Sequence, residues 1–332
     1  MKQFKVGIDL GENEAEPRQF VECAILAEKL GFDSVWFGDH FMPWIHTGGR
    51  AAFVWSVMAT ALEKTERIVM GPDVTCVIDG RYHPALIAQA AATLDNMYPG
   101  RVAIGVGSGE AVNEAPFFIN RLGRWPPWSE RIKRTIEGVT LMRRLWTSTE
   151  YITFEGEFFQ MRDIYLYTKP KTDIPIYFSA LGEKSAVYAG MYGDHLITIA
   201  TPKRCREAIF PNFDEGFRKK GGDPARAEKM VLVNVLIGPV EDALKKLRAG
   251  PAGTLLRKAF ETADPRKVER LAAEVSDEQI LEGFIIFQST EQLGEVVKSY
   301  LQAGANHIAI GTGACPEVIK KIGLELLPWL GR

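Results

Sequence analysis

The chain has 332 residues, 46% of them apolar and 25% charged, with a formal net charge of −2. This is long for an ordinary domain but normal for one α/β barrel with insertions, and a core of that size needs no staples. Near-neutral charge gives neither nucleic acid nor an anionic membrane surface a reason to bind. Cys23, Cys76, Cys205 and Cys315 are scattered without paired spacing. That speaks against a zinc site and a disulfide framework, and predicts a reducing cytoplasm. The start of the chain alternates like a strand and lacks a signal-peptide core, and no run approaches the length that spans a bilayer.

In chain order, Phe4 to Ile8 reads as a strand, and Pro17 opens a helix with Phe20, Cys23, Ala24, Ala27, Leu30 and Gly31 on its apolar face. Ser34 to Phe37 is the next strand, about Ala52 to Lys64 a helix, and Arg67 to Gly71 a third strand. Pro84 to Met97 is helical and Arg101 to Val106 a fourth strand. Ile132, Ile136, Val139, Met142, Leu145 and Trp146 mark a long helix, followed by a hairpin, Tyr151–Thr153 with Phe158–Met161, around Glu155-Gly156. Ile174–Ser179, His195–Ile199, Met230–Ile237 and His307–Ile310 are later strands, several of them continuous apolar runs suited to burial on both faces. Eight strands alternating with helices predict a single (β/α)₈ barrel over residues 1–332. The beat breaks at about 107–173 and 239–290, which are candidate insertions and substrate walls.

A parallel barrel carries its site at the C-terminal ends of its strands. His195 and His307 fall at strand starts and read as structural, and His83, ahead of Pro84, suits a helix cap. His40 follows the second strand in Gly38-Asp39-His40-Phe41-Met42-Pro43-Trp44, with His46 beyond it. After the fourth strand, Gly105, Gly107 and Gly109 would let the backbone approach a ligand, and Glu110 would point into the mouth. An imidazole facing a carboxylate is the minimum kit for proton transfer; the bland alternatives are a buried hydrogen-bonding histidine and a loop salt bridge. The glycines have the wrong spacing for a dinucleotide fingerprint. A metal held by Asp39, His40, His46 and Glu110 is conceivable, but no two of them have helix-face spacing, so no metal is expected.

Four ordered motifs carry a resemblance over nearly the whole chain. They are Asp39-His40-Phe41 with Pro43-Trp44, Arg81-Tyr82-x-Pro84-Ala85 with Ala88-Gln89, Met97-Tyr98-Pro99-Gly100-Arg101-Val102, and the stretch Gly105 to Glu114. With these the chain resembles the bacterial luciferase-like barrels, and within them the coenzyme F420-dependent oxidoreductases. Two members compete as the better match, an F420-dependent secondary alcohol dehydrogenase and an F420-dependent glucose-6-phosphate dehydrogenase. Leu166 to Pro170, Pro175 to Ser179 and Ala189 to Leu196 look like the alcohol enzyme.

The resemblance implies a set of coenzyme contacts. Asp39 would hold the deazaflavin head, and Asp73-Val74 would form a bulge under the ring, often with a non-proline cis peptide in this family. Cys76, Ser108, Gly109 and Asn113 would touch the coenzyme, and the helix opening at Leu181-Gly182-Glu183-Lys184-Ser185 would receive its phosphate. The threonine, lysines and arginine that hold a sugar phosphate in relatives correspond here to Ile199, Pro202 beside Lys203, Lys258 and Gly283, and a first-loop glutamate to Asn13 between Glu12 and Glu14. Loss of the arginine fork disfavours a phosphate dianion.

The expectation is therefore hydride transfer between the carbinol carbon of a small alcohol and C5 of the deazaflavin. His40 would take the hydroxyl proton, Glu110 would sit by the ring or share the relay, and Trp44 would form the apolar wall. A sugar-phosphate dehydrogenase is the main alternative. An F420-dependent methylene-pterin reductase, an FMN monooxygenase and a non-catalytic coenzyme carrier rank below it. Family members are commonly homodimers, which the resemblance extends to this chain.

Overall fold

The computed structural model describes residues 4–11 and 15–332, the side chains of 120 and 121 excepted. Asn13, with Glu12 and Glu14, lies outside the described residues. β1 (Lys5–Asp9) is followed by α1 (Pro17–Leu30), β2 (Ser34–Phe37), α2 (Val54–Glu63) and β3 (Val69–Pro72). Then come β4 (Thr75–Cys76), α3 (Pro84–Met97), β5 (Ile104–Gly107), α4 (Ala111–Leu122) and α5 (Trp128–Thr147). A hairpin of β6 (Ile152–Glu155) and β7 (Gln160–Ile164) leads to β8 (Ile176–Ser179), α6 (Glu183–Tyr192) and β9 (His195–Thr198). β10 (Lys229–Ile237), β11 (Ile285–Phe287) and β12 (His307–Gly311) complete the strands.

Parallel pairing runs β3-β2-β1-β12-β10-β9-β8-β5-β4, and a bridge between Met70 and Val102 joins β3 to β5 and closes the ring. β4 continues β3 beyond a cis peptide between Asp73 and Val74. Among the described residues the ring has eight staves, the third in two pieces, in line with the expected barrel. α1 shows why the helices dock: Phe20, Cys23, Ala24 and Ala27 fall on one buried stripe, and Gly31 ends the helix at φ 91°.

The ring is plugged at the strand starts. Trp36, Ala103, Tyr177, Ile197, Met230 and Ala309 pack in its lumen. Below them His307 lies 2.8 Å from both Ser34 Oγ and Glu228 Oε2, and Tyr177 donates to Glu228 at 2.8 Å. Burial alone would raise the Glu228 carboxyl, but hydrogen bonds from His307 and Lys5 hold it well below the usual range. His195 accepts from the Glu228 amide through Nδ1 at 3.0 Å. Both histidines are structural, as their position at strand starts implied.

Several boundaries differ from the sequence reading for one reason: carboxylates claim the backbone donors. Glu28 of α1 accepts from the amides of Glu66, Arg67 and Ile68, so β3 begins at Val69. Glu137 of α5 accepts from Glu157, Phe158 and Phe159, which moves the second hairpin strand to Gln160. The second insertion is not only helical. Its β11 pairs with the far half of β10, and Leu247, Ala252, Ala272, Val275 and Ile280 give it a small core of its own.

Candidate active site

The loop after β2 is fixed from below by a buried knot of charge. The Asp39 carboxylate accepts from Thr75 Oγ1 at 2.6 Å and Tyr82 Oη at 3.1 Å, and pairs with Arg81 Nη2 at 3.0 Å. Arg81 also donates to the Asp39 carbonyl at 2.7 Å and stacks over Tyr82. Glu114 of α4 completes the knot, accepting from the Arg81 amide at 2.7 Å with its other oxygen 3.6 Å from Nε. Burial pushes the Glu114 carboxyl up to about 7 against the pull of Arg81. The expected hold of Asp39 on a coenzyme head thus meets a carboxylate turned inward, with no side-chain surface exposed.

Above this knot His40 and Glu110 converge. Glu110 precedes α4 at the tip of β5, and its Oε2 lies 3.7 Å from His40 Nε2. Burial lowers the His40 pKa, opposed by Glu110, which favours the neutral ring. Asn113, in the first turn of α4, accepts from the amides of Phe41 and Met42 at 2.8 and 3.2 Å and places its Nδ2 3.0 Å from His40 Nδ1. Trp44 lies 5.8 Å from the His40 ring, and Phe260, from the second insertion, meets Trp44 edge-on at 5.4 Å. One strand-end mouth therefore holds an imidazole, a carboxylate, a primary amide and a two-ring apolar wall.

The glycines in and just after β5 pack closely against the protein's own backbone and side chains. A Cβ on Gly105 would lie 2.3 Å from the Pro72 carbonyl oxygen and 3.0 Å from Val74 Cγ1, and one on Gly107 would lie 2.5 Å from Val74 Cγ2. Gly109, at φ 82°, would clash with Cys76 Sγ at 2.7 Å. The bare backbone accommodates the Asp73-Val74 bend and the Cys76 thiol, which burial keeps protonated. Asp73, Val74, Ser108 and Gly109 are partly exposed around that bend.

Leu181 and Lys184 are exposed at the opening of α6, while Ser185 Oγ accepts from the Gly182 amide at 3.1 Å. Arg204 donates to the Leu181 carbonyl at 3.2 Å, a cation at this helix opening that no motif marked. Ile199, Lys203 and Lys258 of the expected phosphate subsite are all exposed. Ile199 is 48% exposed at the end of β9. Lys203 is exposed, and Lys258 is ion-paired outward with Glu274. A Cβ on Gly283 would lie 2.3 Å from Leu255, so that position faces the insertion's own core. His46 is exposed and His83 caps α3, its Nδ1 accepting from Ala85 at 3.2 Å. Among the described residues no three metal-ligating side chains cluster, and no helix is long and apolar enough to cross a membrane.

Sequence reasoning missed Phe260, Arg204 and the roles of Arg81, Tyr82 and Thr75. Only Arg81-Tyr82 had a signal, as part of a motif without an assigned role.

Residues 1–307 match the family described as luciferase-like monooxygenase. An F420-dependent glucose-6-phosphate dehydrogenase of Intrasporangium calvum is 37% identical over 312 residues, 92% of each chain. That of Rhodococcus erythropolis is 37% identical over 311 residues, 92% of this chain and 91% of its own. A solved F420-dependent secondary alcohol dehydrogenase in complex with an F420-acetone adduct superimposes with a TM-score of 0.90 at 38% identity, covering 98% of this chain and 97% of its own. The F420-dependent tetrahydromethanopterin reductase of Methanopyrus kandleri shares the fold, with a TM-score of 0.76 at 20% identity over 98% of this chain and 99% of its own. The chain belongs to the luciferase-like family, together with these F420-dependent dehydrogenases.

Proposed function

We propose that this protein is an F420-dependent dehydrogenase that moves hydride between the carbinol carbon of a small uncharged alcohol and the deazaflavin. One observation carries the reading: the His40–Glu110 pair faces an apolar wall of Trp44 and Phe260, while Lys258, one of the cations expected for a phosphate, is ion-paired with Glu274. A phosphate dianion needs several converging donors, and a pocket walled by two rings favours a short apolar substituent.

The strand ends fit the coenzyme. Asp73, Val74 and Cys76 at the bend, with Ser108, Gly109 and Asn113 opposite, would seat the ring. The opening of α6 at Leu181, Gly182, Lys184 and Ser185, with Arg204 beside it, offers amide donors and positive charge for a phosphate. When bound, the deazaflavin supplies hydride chemistry at C5. His40 and Glu110 handle the hydroxyl proton, and Trp44 with Phe260 excludes water and aligns the alkyl groups.

The sugar-phosphate reading draws on the names of the 37%-identical relatives and on exposed Lys203. The two are separated by following reduction of oxidised F420 with isopropanol and with glucose 6-phosphate. Faster turnover with glucose 6-phosphate at equal concentration overturns the alcohol reading. Tight F420 binding with no turnover on a broad panel of both classes would mark a coenzyme carrier, and quenching by FMN but not F420 would move the protein to the flavin members. A homodimer in a reducing cytoplasm belongs to the same reading, carried by the resemblance and by four free thiols, and sedimentation checks the stoichiometry.

A further inference from the structure

We propose that Asn113 is a positioning residue that holds His40 as its Nε2-protonated tautomer, making His40 a hydrogen-bond donor to the substrate oxygen and Glu110 the group that takes the proton. This rests on the alcohol-oxidising reading above for its chemistry, but not for its geometry.

The amide's orientation follows from its partners. One terminal atom of Asn113 lies 2.8 Å from the Phe41 amide and 3.2 Å from the Met42 amide. Backbone amides only donate, so that atom is the carbonyl oxygen and its twin is the NH₂. The NH₂ lies 3.0 Å from His40 Nδ1 and 3.4 Å from Glu110 Oε2; being a donor only, with one hydrogen for each, it requires a lone pair on Nδ1. A neutral imidazole has one N–H, which must then sit on Nε2, the nitrogen 3.7 Å from Glu110 Oε2. The competing tautomer would donate from Nδ1 to the Met42 carbonyl at 3.3 Å while setting N–H against N–H at Asn113. It exchanges a shorter bond for a longer one and adds a repulsion.

Two chemical consequences follow. A ring with its proton on Nε2 has no acceptor on that nitrogen, and protonating Nδ1 would break the bond from Asn113. A neutral imidazole can still stabilise developing negative charge on oxygen as a donor. In the oxidising direction the substrate O–H bond breaks and its proton ends on the Glu110 carboxylate; the O–H electron pair becomes the new C=O bond, and a bound deazaflavin would take up the carbinol hydrogen with its bonding pair. His40 stays neutral throughout. Burial, the main influence on this ring, opposes its protonation in the same sense.

The test is ring-nitrogen NMR of the full chain carrying nitrogen-15 in its five histidines, near neutral pH, without coenzyme or substrate. His40 is assigned by the signal lost in His40→Gln. The expected pattern is a protonated Nε2 and a bare Nδ1, exchanged in Asn113→Asp, whose carboxylate accepts from Nδ1–H. A protonated Nδ1 in the wild-type protein overturns the proposal whether or not the variant folds, and so does an unchanged pattern in folded Asn113→Asp. Kinetics test the proton's destination. His40→Gln, whose amide still donates, should keep the acid limb of kcat/KM and lose less than the ~10²–10⁴-fold expected on removing a base. Glu110→Gln should abolish that limb. An acid limb that disappears in His40→Gln overturns the assignment to Glu110. The spectrum is recorded on the free protein, so it is decided separately from the identity of the substrate.

Discussion

If Gly107 is glycine to make room for Val74, the two positions must be energetically coupled. An alanine Cβ at 107 would sit 2.5 Å from Val74 Cγ2, with its next neighbours at 3.7 and 3.9 Å. The first distance is about 1 Å inside comfortable carbon–carbon contact and the others are ordinary, so one methyl group accounts for the whole clash. Overpacking of that kind costs about 1–3 kcal/mol, whereas Val74→Ala, at a partly exposed position, should cost about 1 kcal/mol. In the double variant the clash is gone, so its cost should fall below the sum of the singles by roughly 1–2 kcal/mol. Urea denaturation of the coenzyme-free protein, with coincident circular dichroism and fluorescence transitions, reads all three values. Gly105→Ala is the control, because its Cβ would meet the Pro72 carbonyl at 2.3 Å, which trimming Val74 leaves in place. Additivity of Gly107→Ala and Val74→Ala within about 0.3 kcal/mol would refute the reasoning and return the glycine to a ligand-facing role.

Replacing His40 with Ala should lower turnover by about 10²–10³-fold, as for loss of a donor to the substrate oxygen, with coenzyme affinity little changed; near-normal turnover in a stopped-flow assay would remove His40 from the chemistry. Phe260→Ala should raise KM for small secondary alcohols by about tenfold while leaving F420 binding intact, and equal loss of both would show that the ring supports the fold rather than the substrate. Glu114 gives a pH signature. Its folded pKa, about 7, lies above the ordinary 4.5, so folding favours the protonated acid. Its contribution is present below about pH 4.5 and lost as pH rises through about 7, a change on the order of 3 kcal/mol. Glu114→Gln should remove that slope whatever its absolute stability, and an unchanged slope in urea titrations at several pH values would place the titrating group elsewhere.

The barrel was legible because its parallel strands are short apolar runs and its helices carry a clean stripe, as in Phe20, Cys23, Ala24 and Ala27. Boundaries slipped where distant carboxylates, Glu28 and Glu137, took backbone donors that local pattern would assign to a ladder. β11 was unreadable, since three residues inside a charged stretch have no period. His40, Glu110 and Trp44 could be found from their places at strand tips. Phe260 could not, because it comes from an irregular segment whose side-chain directions depend on tertiary packing. The pairing within the Asp39–Arg81–Glu114 knot was equally hidden: burial of charge is a property of the assembled structure, and the separate motifs that hold these residues do not say that they meet. The outward turn of Lys258 to Glu274 was invisible for the same reason.

The division of the mouth between two kinds of scaffold has a consequence for how such proteins diversify. Imidazole and carboxylate are mounted just beyond the strand tips of the closed ring, and the amide on the helix that follows. Phe260 belongs to a segment with a separate nucleus of Leu247, Ala252, Ala272, Val275 and Ile280, joined to α5 through Arg131 and Glu261 at 2.7 Å. Residues that face only that nucleus can be exchanged without disturbing the packing inside the ring. Selection on what enters the chamber can thus proceed while the machinery that handles protons is held constant.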